Sequence, residues 1–331
     1  MPEAPRRTYL HQANQILVAF DDSRYSGRAL AYAIAVANSG GAKIALAHAI
    51  PPLARYFKEV LFPYAAMGVD EVEIEAELLD NAKARLGEAA LKLVGADSKV
   101  EFETHVTTGA SPATGLVQLV DQLDASIVFC GAFGDTSPIL GRIGATAQGI
   151  IANAHKPIFV VRDPAGTATV SRVLIALDGS SAAAETLNWG VSFALRFGAD
   201  VELVTVIPDP NSSDTCGLLE SLRLGADVKR KAERRARERA QRALDDLYVP
   251  FPFEAQAKAL TFTHHTPIAD PVEGICGCAA EQGADLIVVG SRHPEGTSSY
   301  LGRVAEGVVR RSGCNTLVIP ILDVIKAQDS L

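Results

Sequence analysis

Short apolar runs alternate with longer amphipathic stretches from about residue 15 to about residue 320. In the first half, ILVAF, KIALAHAI, VEFETHV, SIVFCG and PIFVV are continuous enough to read as buried strands. Between them, residues 26–40, 70–95, 112–123 and 144–154 return to apolar side chains every three or four positions. That is the period of a helix with one buried face. Apolar strands separated by helices predict a parallel sheet covered on both sides. Right-handed crossovers then make it doubly wound. The expected class is α/β, Rossmann-like, with strand order 3-2-1-4-5. Ser111 and Asp270, each followed by proline, predict helix N-caps after the third strand.

The pattern occurs twice. QILVAFDDS returns as RVLIALDGS, AKIALAHAIPP as ADVELVTVIPDP, and FETHVTTGASP as FTHHTPIADP. DASIVFCG returns as GADLIVVG and KPIFVV as NTLVIP, in the same order and at an offset near 157–159 residues. Order and offset together predict two copies of one domain, residues 15–163 and 171–321. RDPAGTATVS, residues 162–171, has no apolar period and reads as the linker.

Sheets of this kind bind ligands beyond the carboxyl ends of the strands, where strand order reverses. Asp21 follows the first strand and GAFGDTSPILGRIGAT follows the fourth. These strands are neighbours at the switch point, so both stretches should flank one crevice. Gly131, Gly134 and Gly144 then have two readings. Glycine lets backbone N–H groups close on a phosphate, and a helix starting at Gly144 or Gly302 adds its positive end. Alternatively, a strand-to-helix turn simply needs positive φ.

On these residues the chain resembles the universal stress protein family in its tandem form, over roughly residues 15–320. Nucleotide-binding members carry G-x2-G-x9-G-(S/T) after the fourth strand. Gly131, Ala132, Phe133, Gly134 and Gly144 fit, whereas Ala145 replaces the hydroxyl residue, with Thr146 next. The lost donor is worth about 1 kcal/mol. The resemblance implies that Asp21 and Asp178 contact adenosine, with Ala19 and Ala176 two positions earlier. It also implies that Ala49 and Val206 offer backbone groups to adenine. The second copy keeps Gly290 and Gly302 but places His293 at the middle glycine, beside Arg292, in a loop one residue shorter. Arg303 stands at the Ser/Thr position, followed by Val304. It either supplies a charge-assisted contact or points into solvent. The family's domains pair through their fifth strands, here residues 158–161 and 317–319, giving an internal pseudo-dimer. Homodimerisation of whole chains is a further option.

Composition narrows the function. The 331 residues carry a formal charge of −8, which argues against a general nucleic-acid binder. No apolar run approaches the roughly 20 residues of a membrane span, and MPEAPRRTYLHQAN lacks the apolar core of a secretory signal. Five cysteines, an odd number, do not make a disulfide framework, so the expected compartment is the cytoplasm.

Other features have ordinary readings. The arginine-rich stretch 227–247 reads as a solvated, ion-paired helix. Cys276 and Cys278 sit two apart on a helix and read as packing thiols. His264 and His265 point to opposite sides of a strand, which disfavours a metal pair. Residues 51–70, apolar and aromatic, read as a packed flap, with a contact surface as the main rival.

The expected function is regulatory binding of ATP, with or without magnesium, in a stress response. No general base or dedicated magnesium ligand stands out, so no catalytic or metal residue and no fast hydrolysis are expected. A nucleotide-free scaffold is the main alternative and a nucleotide hydrolase the weaker one.

Overall fold

The computed structural model describes residues 10, 13–51, 67, 71–94, 100–134, 142–178, 183–208, 226–245, 260–292 and 301–321. The chain divides into two compact units between Ala168 and Thr169. The apolar segment 52–66 lies outside the described residues.

The first unit runs β1 (Gln15–Ala19), α1 (Arg24–Gly40), β2 (Lys43–Ile50), α2 (Glu71–Val94), β3 (Phe102–Thr108), α3 (Pro112–Gln122), β4 (Ile127–Gly131), α4 (Ala145–Asn153) and β5 (Ile158–Val161). Its strands are parallel, in the order β3-β2-β1-β4-β5. β1 is central: Val18 faces Leu46 on one side and Phe129 on the other. Ile16, Leu17 and Val18 are fully buried, as a strand covered on both faces requires. β3 lies at the edge of the order and carries exposed Glu103 and Thr104. Helix starts follow local chemistry. Ser23 caps α1 by accepting from Ser26 N–H, and Ser111 caps α3 by accepting from Thr114 N–H. α1 stops at Gly41, whose φ of 71° is the left-handed C-cap that glycine adopts without strain.

The second unit runs β6 (Arg172–Ala176), α5 (Ala183–Phe197), β7 (Asp200–Val204), β8 (Ile207–Pro208), α6 (Ala226–Asp245), β9 (Phe262–His265), β10 (Ile268–Ala269), α7 (Pro271–Gln282), β11 (Leu286–Arg292), α8 (Arg303–Arg311) and β12 (Asn315–Ile321). Its main strands, again parallel, take the equivalent order β12-β11-β6-β7-β9. The two domains are therefore repeats of one doubly wound fold.

They differ where β2 and β3 of the first unit run unbroken. In the second, β8 and β10 form a separate parallel pair, Ile207 beside Ile268. Pro267 sits at this break: it has no N–H to donate, though its carbonyl still accepts from Ile207 N–H at 2.9 Å. Asp270 caps α7, accepting from Val272 and Glu273 N–H. α5 buries Trp189 and Phe193 completely.

Candidate functional site

The first-domain crevice opens beyond the carboxyl ends of β1 and β4, with a volume of about 280 Å³. Ala19, Asp21, Ala49, Gly131, Phe133, Gly134, Gly144, Ala145 and Thr146 all line it. Two segments more than a hundred residues apart thus converge, and their approach is close. A Cβ built on Gly134 would lie 3.0 Å from Asp21 Oδ2. Asp21 is held by its own turn: Ser23 N–H donates to Oδ1 at 3.1 Å, and Asp21 N–H donates to Ser26 Oγ at 3.3 Å.

The glycines answer different needs. None of Gly131, Gly134 and Gly144 has positive φ, so the turn that needs left-handed backbone is not the explanation. At Gly131 the constraint is packing, because a Cβ there would lie 2.7 Å from Tyr25 Cβ. Gly144 is the N-cap of α4 and makes no side-chain cap bond. The first bond of that helix is Gln148 N–H to Gly144 O at 2.9 Å. The N–H groups of Ala145, Thr146 and Ala147 therefore precede the helical ladder, and these residues line the crevice. A helix start of this kind attracts an anion.

Two lining residues, His48 and Cys130, carry no family signature in the sequence. His48 donates from Nδ1 to Phe20 O at 2.8 Å, since a carbonyl can only accept. Phe133 packs edge-on against Tyr25, centroids 5.2 Å apart, and Arg162 lies over its ring at 5.3 Å. Cys130 is at the crevice floor, but burial, with Asp21 adding, pushes its thiol up to about 12. It stays protonated and is a wall, not a nucleophile.

The second-domain crevice is about 580 Å³. Ala176, Asp178, Val206, Gly290 and Val304 line it. Gly302 and Arg303 are not among its described lining residues. Gly302 is the N-cap of α8, and its N–H donates to Ser291 Oγ at 2.8 Å. His293 and the side chain of Arg292 lie outside the described residues. Gly290 repeats the packing role of Gly131, because a Cβ there would meet Thr186 Oγ1 at 2.7 Å. Where the first crevice has Ser26, His48 and Thr146, the second has Ala183, Thr205 and Val304, so its walls are more apolar.

The arginine-rich helix departs from its expected role. Arg230 pairs with Asp227, and Arg234 with Glu238 at 3.5 Å, as a solvated helix would show. Lys231, Arg235 and Arg239, however, line the crevice. A periodicity reading finds a helix's apolar face but not what its polar faces meet across space.

The remaining candidates are structural. His264 Nε2 lies 2.9 Å from Thr205 Oγ1, and His265 Nε2 lies 2.8 Å from Glu202 Oε2. Cys276 and Cys278 are not joined in a disulfide, and burial raises the Cys278 thiol to about 11. No group of three or more metal-ligating side chains occurs among the described residues, and no described helix is long and apolar enough to cross a membrane.

Comparison with known proteins gives a consistent answer. Universal stress protein Slr1230 of Synechocystis is 25% identical over 230 residues, covering 66% of this chain and 79% of that protein. A candidate universal stress protein of Pseudomonas aeruginosa UCBPP-PA14 shares the fold at a TM-score of 0.62 and 16% identity, covering 94% of each chain. One from Archaeoglobus fulgidus does so at 0.57 and 18%, covering 93% of this chain and 98% of that one. The model of the universal stress protein family matches residues 13–162 and again 169–320. With each half matched separately, the chain belongs to the universal stress protein family, in its tandem two-domain form.

Proposed function

We propose that this protein is a regulatory stress protein that binds an adenine nucleotide, ATP, in the crevice of its first domain, and that it acts through occupancy and not turnover. One observation carries the reading. Asp21, the loop through Gly134 and the open start of α4 meet around one cavity of about 280 Å³. That is close to the lower end of small-molecule sites, roughly 300–1,000 Å³. Ala19 and Ala49 leave room for a flat base at the sheet. Asp21 offers a carboxylate to a ribose diol. The N–H groups at Ala145 and Thr146 face a phosphate, and Gly134 lets the loop approach without a side chain.

Binding without turnover is supported by what lines the crevice. Cys130 is held protonated, and His48 spends one nitrogen on Phe20 O. Neither is placed as an activated nucleophile. A nucleotide-free scaffold would fill this crevice with side chains, and the described residues leave it open.

Titration calorimetry with ATP tests the proposal. Gly134→Glu puts a carboxylate beside Asp21 and into the phosphate region. It is expected to weaken ATP binding at this site by roughly tenfold or more. Unchanged affinity in that variant, or no heat from the wild type, overturns the reading.

A further inference from the structure

The two crevices have diverged in opposite senses. The second has Ala183 and Val304 where the first has Ser26 and Thr146, yet it has gained three cations, Lys231, Arg235 and Arg239. They stand four residues apart along α6, so they form one stripe about 12 Å long. All three are exposed. On α6 itself, Asp227 pairs with Arg230 and Glu238 with Arg234. Among the described residues, no carboxylate lies within ion-pair distance of the stripe. α2, the equivalent helix of the first domain, contributes none of the described residues of the first crevice, and its sequence opens with Glu71, Glu73, Glu75 and Glu77.

From this stripe we infer that the second-domain crevice binds a nucleoside polyphosphate, with its phosphate chain laid along Lys231, Arg235 and Arg239, and that it selects ligands by phosphate number. This rests on reading the crevices as nucleotide sites. Asp178 and the apolar pocket of Ala176, Val206 and Ile275 hold the nucleoside end. Three cations in a row match a chain of anions better than they match a single phosphate, and each contact is a charge-assisted hydrogen bond. Because long cationic side chains would hold the phosphates, affinity should fall steeply with added salt.

The chain has a single tryptophan, Trp189, and it is buried in the second domain. Its fluorescence during thermal unfolding therefore reports ligand binding to that domain. The measurement uses the full chain carrying Gly134→Glu, so that the first crevice does not compete for ligand. ATP, ADP, AMP and inorganic tripolyphosphate are compared, alone and with the triple substitution Lys231→Gln, Arg235→Gln, Arg239→Gln.

The expected order of affinity is ATP, then ADP, then AMP. The triple substitution should weaken ATP by roughly tenfold or more while leaving AMP within about twofold, which also shows that the domain is folded. Tripolyphosphate should compete with ATP only when the stripe is intact. ATP that binds the second domain equally well in the triple variant overturns the inference and leaves the nucleotide reading standing. So does ATP that binds only the first domain of the wild type. Absence of ATP binding at both domains overturns the nucleotide reading itself.

Discussion

Gly134 and Asp21 show how one missing side chain builds a site. The 3.0 Å between a Cβ at Gly134 and Asp21 Oδ2 leaves no room for any other residue unless the carboxylate moves. Gly131 looks similar in the sequence but is fixed by Tyr25, so it belongs to the packing of α1 on the sheet. His264 gives a pH prediction. Burial first, then Arg237 and His265, lowers its imidazole to about 4 from the usual 6.5. In the unfolded chain it takes up a proton near 6.5, whereas in the folded domain it resists until about 4. The unfolded state thus binds more protons between these values, and stability falls as the pH drops through that window. Urea unfolding followed by Trp189 fluorescence should show a lower midpoint at pH 5 than at pH 7. His264→Gln, which keeps a hydrogen-bonding group toward Thr205, should narrow the gap. An equal gap in the variant removes His264 as a source of acid sensitivity.

Helix placement depends on a pair of glycines that repeat between the domains. A Cβ on Gly149 of α4 would lie 2.5 Å from Ala113 Cβ on α3, and one on Gly307 of α8 would lie 2.5 Å from Val272 Cγ2 on α7. These contacts set how closely each helix pair packs, and in the first domain they position the start of α4 at the crevice. Gly149→Ala is therefore expected to destabilise its domain by about 1–3 kcal/mol and to weaken ATP binding. Gly87, on α2 with nothing within 4 Å of its Cβ direction, is the control. Gly87→Ala should stabilise by about 0.4–1 kcal/mol. Thermal or urea unfolding of the two variants tests the opposite signs.

The strands and helices of the first domain were legible because burial on both faces leaves continuous apolar runs, and amphipathic helices keep their period. The caps at Ser111 and Asp270 were legible from local chemistry. His48 was not, because one histidine within β2 has no periodic signature and its role comes from the Phe20 carbonyl across the strands. The crevice-facing stripe of α6 was hidden for a similar reason: charge on a helix reads as solvated until the neighbouring crevice is known.

Across the molecule, duplication has kept one fold and changed what each copy presents. The first crevice is smaller and lined by polar groups and glycines; the second is larger, more apolar and cationic along one side. If both crevices bind as proposed, a tandem chain with two unlike crevices can respond to two concentrations or two charge states of related ligands. The proposed function depends on the first crevice receiving a nucleotide. The most direct measurement is a crystal structure of the full chain grown with ATP. The expected result is a nucleotide with its base between Ala19 and Ala49, its ribose at Asp21, and phosphate oxygens at the N–H groups of Ala145 and Thr146. An ordered first domain with that crevice empty at saturating ATP, or ATP bound elsewhere on it, would contradict the reading.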